Sequence, residues 1–188
     1  MILDVPYYSQ YNDVESINWQ DKACTMTCLK MALDFKTKTD MPSINELITE
    51  GHAIGGYGEY GWTHQAIVLL SHNYGIPAYQ EEFRSVFVDV QEKTFVPSKF
   101  ESEILNEGIV RLKKGIDEMR LPIVSVRRNW EQNGTFHSII IIGYELKDRE
   151  ISGFYYHDPD TKNEEKRKQF IPLDKFTSNW RKMAIFIG

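Results

Sequence analysis

A cysteine is a useful nucleophile only as the thiolate, so a catalytic cysteine needs a helix N-terminus or a nearby imidazolium to lower its pKa. Cys24 meets the first condition on pattern alone. In the segment 24–35 (CTMTCLKMALDF), Cys24, Cys28, Met31 and Phe35 recur at steps of four, three and four, the period of one helix face turned to a core. Cys24 opens that helix, where unpaired N–H groups and the macrodipole favour an anion, whereas Cys28 lies a full turn inside. The bland alternative is a small core residue at the start of an apolar stripe, the commoner use of cysteine. Asp21 stands at N-cap distance and Lys22 interrupts the apolar pattern, so the helix is expected to begin close to Cys24.

Five histidines are available to pair with the thiol. His137 opens the run FHSIIIIGYE (136–145), which reads as a central strand covered on both faces, with the imidazole at a strand end where its geometry can be held rigidly. His52, His64 and His72 fall in a loop and a helix and are expected to be ordinary surface or capping groups. Asp158 closes the next strand, in FYYHDPD (154–160), and Pro159 holds it extended. If those two strands turn back on each other near Lys147 to Glu150, the start of the first lies beside the end of the second. Asp158 can then fix the His137 tautomer and support an imidazolium. Each residue also has a plainer reading, a strand-end histidine bonded to a neighbour and a turn-initiating Asp-Pro.

Other chemistries fit less well. His157 and Asp158 are consecutive strand residues that point to opposite faces, and no cluster has zinc-ligand spacing, so neither a metal nor another cofactor is expected. Gly55-Gly56-Tyr57-Gly58 follows no clear strand and lacks the Lys-Ser/Thr ending of a phosphate loop. Cys24 and Cys28, the only two cysteines, share a helix face without the dihedral a disulfide prefers, which ranks a redox pair last. The formal net charge of -5 argues against nucleic acid, and the one cationic stretch, Lys162 to Lys168, is broken by Glu164 and Glu165. No apolar run is long enough to span a bilayer and residues 1–4 carry no leader pattern, so the expectation is a cytoplasmic protein without a membrane partner.

The elements that must position these residues form an α+β layout. Of the 188 residues, 41% are hydrophobic and 13% aromatic, enough for one core, and a single domain over 1–188 is expected. Besides the cysteine helix, helices are expected from Ser43 (44–48, with Glu46 completing a capping box), over 63–74 ending at Gly75 and Pro77, and over 101–119, where Gly108 and Gly115 weaken the pattern. From residue 121 onward the character changes. The segments 121–126, 136–144, 153–156, 168–171 and 183–187 are short, β-branched and aromatic, separated by polar turns, with a short helix around 172–176 before the last. A helical half of about 1–120 thus precedes a sheet half of about 121–188, with the cysteine helix packed on an antiparallel sheet. The stretch 51–61 (GHAIGGYGEYG) holds five glycines and reads as a mobile loop of a kind that often flanks sites. Its Tyr57 and Tyr60, with Trp62 just beyond it and Trp19, are candidates for aromatic cleft walls.

Five fragments in this order and register, DVPYYSQY (4–11), CTMTCLKMAL (24–33), LPIVSV (121–126), FHSIIIIGYE and YYHDPD (155–160), resemble the C39-like peptidase family, a papain-like group, over nearly the whole chain. The resemblance implies Cys24 as nucleophile, His137 as base and then acid, Asp158 as its orienting carboxylate and Gln10 as side-chain donor of the oxyanion hole, with Gln20 a nearer rival in sequence. It implies a papain-like fold and a peptide or amide substrate cleaved through an acyl-thioenzyme. Thr25-Met26 depart from the Gly-Pro that usually follows the cysteine in this family, losing the room glycine gives a substrate and the preset first turn that proline gives a helix. That change motivates an alternative, an inactive domain that binds peptide in the old cleft. An acyl or peptidyl transferase on the same triad is a further variant. Assembly state has no sequence signal.

Overall fold

The computed structural model describes every residue except 90, 92 and 93. After one short helical turn, α1 (Ile17–Gln20), comes α2 (Cys24–Lys36), which carries the cysteine at its first position. Met26, Cys28, Leu29, Met31, Ala32 and Leu33 of α2 are fully buried, as the spacing requires, while Phe35 is only half-buried. The N-cap is Ala23 rather than the expected Asp21, and no side chain caps this end. Asp21 instead accepts a hydrogen bond from the Tyr11 hydroxyl. The first-turn N–H groups of α2 therefore lack a side-chain acceptor, which leaves the positive end of the helix turned toward Cys24.

Cap chemistry read from sequence explains the next two helices. α3 (Ile44–Ala53) opens in a complete capping box between Ser43 and Glu46 and runs five residues beyond the apolar stretch that announced it. The glycine-rich segment after it is not a mobile loop but an ordered hairpin of β1 (Tyr57–Gly58) and β2 (Gly61–Trp62), with Gly61 at φ +95°. Backbone bonds from Gly56 N–H to Gly51 O and from Thr63 N–H to Gly56 O hold its ends, and Tyr57, Trp62 and Trp19 pack ring on ring. Thr63 then caps α4 (His64–Asn73) by accepting from Ala66 N–H, and Gly75 takes the positive φ that ends it.

The layout of helices first and strands second needs correction, because strands also occur in the first half. β3 (Ala78–Glu82) comes from the first half of the chain yet forms an edge of the main sheet. Its sequence, AYQEE, lacks apolar alternation because it is an exposed edge, where charges discourage stray pairing. β4 (Val86–Asp89) and β5 (Thr94–Pro97) make a separate hairpin. α5 (Glu101–Asp117) keeps Gly108 and Gly115 because a Cβ there would meet Phe83 at 2.8 Å, Trp180 at 2.9 Å, or Phe186 at 3.0 Å. The glycines let the helix lie close on the sheet, which outweighs their poor helix propensity.

The remaining strands are β6 (Leu121–Arg127), β7 (Phe136–Lys147), β8 (Glu150–His157), β9 (Gln169–Pro172) and, after α6 (Leu173–Asn179), β10 (Trp180–Ile187). With β3 they form one antiparallel sheet in the order β3-β10-β6-β7-β8-β9. On β10, Phe186 meets α5 at Gly115, whereas Met183 and Ile185 line a cleft together with Cys24. Alternation along the strand thus puts α5 and α2 on opposite faces of the sheet. The central β7 is covered on both sides, and Ile139 to Ile142 are all buried.

Candidate active site

The β7–β8 hairpin brings His137 and Asp158 together. It turns between Lys147 and Glu150, with Asp148 and Arg149 both at positive φ, the backbone signature of a tight type I′ connection. That turn sets Ile140 opposite His157, so the chain leaving β8 passes the start of β7. The His137 Nε2 lies 2.6 Å from Asp158 Oδ1, and its side chain is only 1% exposed. Asp158 is further fixed by the Asp160 N–H, which donates to Oδ1 at 2.9 Å, and by Lys166 Nζ 3.5 Å from Oδ2. Burial works against the carboxylate charge, but the hydrogen bond and charge of His137, the Asp160 N–H and Lys166 hold its pKa below the usual range.

Cys24 meets the other side of the ring. With Nε2 engaged by Asp158, Nδ1 is buried without a hydrogen-bond partner and is the nitrogen left for the thiol, whose charge the ring favours. Burial alone would push the thiol up, but the adjacent His137 outweighs it, helped by Ser138 and Thr25, and lowers the Cys24 pKa from 9.0 to about 7. For His137 burial disfavours the charged ring, and the Cys24 thiolate and the Asp158 hydrogen bond more than offset it, raising the pKa to about 10. The pair therefore favours thiolate beside imidazolium. Cys28 is different: burial, with the charges of Cys24 and Asp158, pushes its pKa well up, and its thiol lies 3.6 Å from the Ser138 carbonyl, a neutral core group.

The two glutamines separate clearly. Both N–H bonds of the Gln20 amide are taken, by Tyr11 O and Val14 O at 3.0 Å each, so this side chain ties down the loop before α1. Gln10 is fully buried and donates one N–H to Gln20 O at 2.9 Å, leaving its second N–H uncommitted and its Oε1 without a partner. Of the two amides, only Gln10 retains a donor for another acceptor.

The Cys24–His137 pair opens into a cleft of about 550 Å³ between the α2 N-terminus, the β1–β2 hairpin, the start of α4 and the face of β6, β7 and β10. Tyr57, Tyr60 and Trp62 line it, with Tyr60 90% exposed at the hairpin tip. Trp19 does not line it but stands behind, stacked on Trp62 at 5.5 Å. His64, expected to be an ordinary surface or capping group, is also in the wall, because the N-terminus of α4 faces the sheet across the cleft. Burial, aided by the charge of Arg181, lowers the His64 pKa. His72 Nε2 accepts the Ala78 N–H at 3.0 Å, and His52 packs edge-on against Trp19. His157 is buried and accepts from Lys168 N–H at 2.9 Å through Nδ1 while Nε2 donates to Val5 O at 3.1 Å.

Sequence reasoning passed over Thr25 and Ser138 as partners, Lys166 and Arg181. Thr25 Oγ1 and Ser138 Oγ lie 2.8 Å apart, a link between the residue after the cysteine and the residue after the histidine. That adjacency was a usable signal, whereas nothing in sequence tied Lys166 to Asp158.

A helix laid on an antiparallel sheet in this way is the papain-like fold, and solved structures of C39 peptidases share it. A C39-like peptidase from Bacillus anthracis superposes with a TM-score of 0.64 at 16% identity, covering 100% of this chain and 96% of that one. The peptidase domain of Streptococcus ComA, a bi-functional ABC transporter involved in a quorum sensing pathway, gives 0.57 at 16% identity over 89% and 92%. A double glycine motif protease from an AMS/PCAT transporter, solved with its leader peptide, gives 0.54 at 15% identity over 99% and 93%. Residues 2–185 match the Peptidase_C39 like family, and the chain belongs to it. No curated protein matches it in sequence. Among the described residues, no helix is long and apolar enough to cross a membrane.

Proposed function

We propose that this chain is a cysteine-dependent hydrolase, a peptidase or amidase, acting on peptide-like substrates. The observation that carries the reading is the shared position of Cys24, His137 and Asp158, with the thiol pKa lowered to about 7 by the histidine. The Cys24 thiolate attacks the substrate carbonyl carbon, forming a C–S bond and a tetrahedral oxyanion. The second N–H of Gln10 and the backbone N–H of Cys24 receive that negative charge. His137, protonated and oriented by Asp158, gives its proton to the leaving amine as the C–N bond breaks. The acyl-thioenzyme is then resolved when His137 takes a proton from water, the resulting hydroxide equivalent attacks the same carbon, and the C–S bond breaks to release the acid and restore the Cys24 thiolate beside the His137 imidazolium. An amine in place of water would make the protein a transferase, and product analysis with a competing amine separates the two outcomes.

Peptide is the favoured substrate class because one structural neighbour was solved with a leader peptide, and the cleft here is open and walled by aromatic rings. One feature favours the rival reading of an inactive peptide-binding domain: the Thr25 side chain lines the cleft, with Oγ1 3.9 Å from the Cys24 sulfur. The pH profile of Cys24 alkylation by iodoacetamide decides between them. A midpoint near 7 supports the enzyme, and a midpoint at the value of an ordinary thiol refutes it.

A further inference from the structure

Arg181 is a cation placed in the cleft by a specific irregularity of β10. Trp180 pairs with Val126 and Ala184 with Val124, so four steps along β10 face two along β6, and Lys182 sits at φ +62° inside the resulting bulge. A non-glycine residue in that region is costly, and bulges beside sites commonly re-aim a side chain. Here the Lys182 carbonyl turns out to accept Phe83 N–H at 2.7 Å, and Arg181 is directed to the cleft side. Its guanidinium lies over the Phe136 ring at 5.3 Å, with Arg127 over the same ring at 5.1 Å.

Stacking restrains the Arg181 fork while leaving its N–H groups unused: among the described residues Arg181 makes no hydrogen bond and no ion pair. The nearby Glu82 is paired with Arg84, and Asp21 and Glu59, the carboxylates that line the cleft, form no ion pair with it. His64 beside it is held neutral and adds a hydrogen-bonding group without negative charge. A restrained, unpaired guanidinium in a substrate cleft is suited to bidentate binding of a carboxylate.

Position sets the register. His137, Val126 and Trp180 lie in one row across β7, β6 and β10, so Arg181 stands about two strand spacings, on the order of 10 Å, from the histidine. That is about three residues of extended peptide. We infer that Arg181 is an anion subsite of the cleft, selecting peptides that carry a carboxylate two or three residues from the scissile carbonyl. The carboxylate comes either from an acidic side chain or from the peptide's own C-terminus. The inference rests on the proposed function, since it assumes that peptide occupies this cleft.

The test is equilibrium binding to the full chain carrying Cys24→Ala, which cannot turn substrate over. N-terminally rhodamine-labelled alanine heptapeptides, each with one Glu or Gln walked along the chain and the C-terminus free or amidated, are titrated by fluorescence anisotropy. One Glu register, or the free C-terminus, should bind about tenfold tighter than its neutral counterpart. The arms tell the two carboxylate sources apart. The gain should vanish with Arg181→Gln and survive in part with Arg181→Lys, which keeps the charge but not the fork. No gain in any register, or a gain that persists without Arg181, overturns the subsite. The iodoacetamide profile of the wild-type chain reads the proposed function separately, so an anion subsite that fails beside a thiol midpoint near 7 leaves the hydrolase standing.

Discussion

Replacing His137 by alanine should change the pH dependence of Cys24 reactivity in a way that neither unfolding nor blocked access would imitate. The histidine supplies both the leading charge and the leading hydrogen bond that lower the thiol pKa from 9.0 to about 7, against burial. That difference stabilises thiolate over thiol by about 3 kcal/mol. Without the ring, burial and the weaker Ser138 and Thr25 contributions remain, and the midpoint returns to 9.0 or above. At pH 7 the thiolate fraction then falls from about one half to about 1%. A more basic thiolate is intrinsically more nucleophilic, by roughly six- to tenfold for such a shift, so the alkylation rate at pH 7 should fall only about five- to tenfold. At pH 10, where both thiols are largely ionised, the variant should react faster than the wild type by a similar factor. Asp158→Asn, which removes the charge at 2.6 Å from Nε2 but keeps an acceptor, should give an intermediate midpoint. Iodoacetamide labelling read by mass spectrometry at the Cys24 peptide, across pH 5 to 10.5, measures all three. A wild-type midpoint already at that of an ordinary thiol, or a midpoint that stays near 7 in His137→Ala, would refute the coupling on which the proposed chemistry depends.

The two glutamines should behave oppositely. Gln10→Ala should slow acylation by p-nitrophenyl acetate by about a hundredfold or more, the usual consequence of losing one oxyanion donor, while leaving iodoacetamide alkylation intact because that reaction builds no oxyanion. Gln20→Ala, which frees Tyr11 O and Val14 O, should instead lower the urea midpoint by an amount equivalent to about 1–3 kcal/mol, and equal acylation losses in the two variants would contradict the assignment. His157 should make the fold acid-sensitive in a defined window. The unfolded ring takes up a proton as pH falls through 6.5, the folded ring only near 4, because burial, helped by the charges of Arg167 and Lys168, disfavours the charged ring. Stability should therefore drop by up to about 3 kcal/mol between those values, and a urea midpoint with the same pH slope in His157→Gln would show that another group is responsible.

Much of this site was legible because the signals were local. The step pattern from Cys24 to Phe35 fixed a helix whose first residue is the thiol, and the isoleucine run after His137 could only be a central strand. The Ser43–Glu46 capping box likewise belongs to a few consecutive residues. What escaped depends on partners distant in sequence. β3 reads as a polar segment until β10 is beside it, and His64 reads as a surface residue until α4 is laid across the sheet. The hairpin at 57–62 carries glycines that advertise a loop, yet Trp19, a residue well upstream, supplies the ring that orders it. The choice between Gln10 and Gln20 turned on which carbonyls their amides meet, and spacing from the cysteine holds no information on that.

The departure at Thr25-Met26 can be argued through from packing. Glycine after the nucleophile gives room, and proline presets the first helical turn; the structure meets the second need by other means. Thr25 Oγ1 and Ser138 Oγ, 2.8 Å apart, clamp the first turn of α2 to β7 one residue beyond Cys24 and one beyond His137. Met26 is fully buried, and its Cε lies 2.6 Å from where a Cβ on Gly51 would stand, so a side chain at that position of α3 would have to displace the methionine tip. The first turn is thus fixed by a cross-element hydrogen bond and a core side chain rather than by a ring closed on the backbone. Where glycine would leave room, Thr25 lines the cleft with its Oγ1 3.9 Å from the sulfur. On the proposed chemistry the change bears on which acyl groups fit next to Cys24, and leaves the joining of the helix tip to β7 to the Thr25–Ser138 clamp.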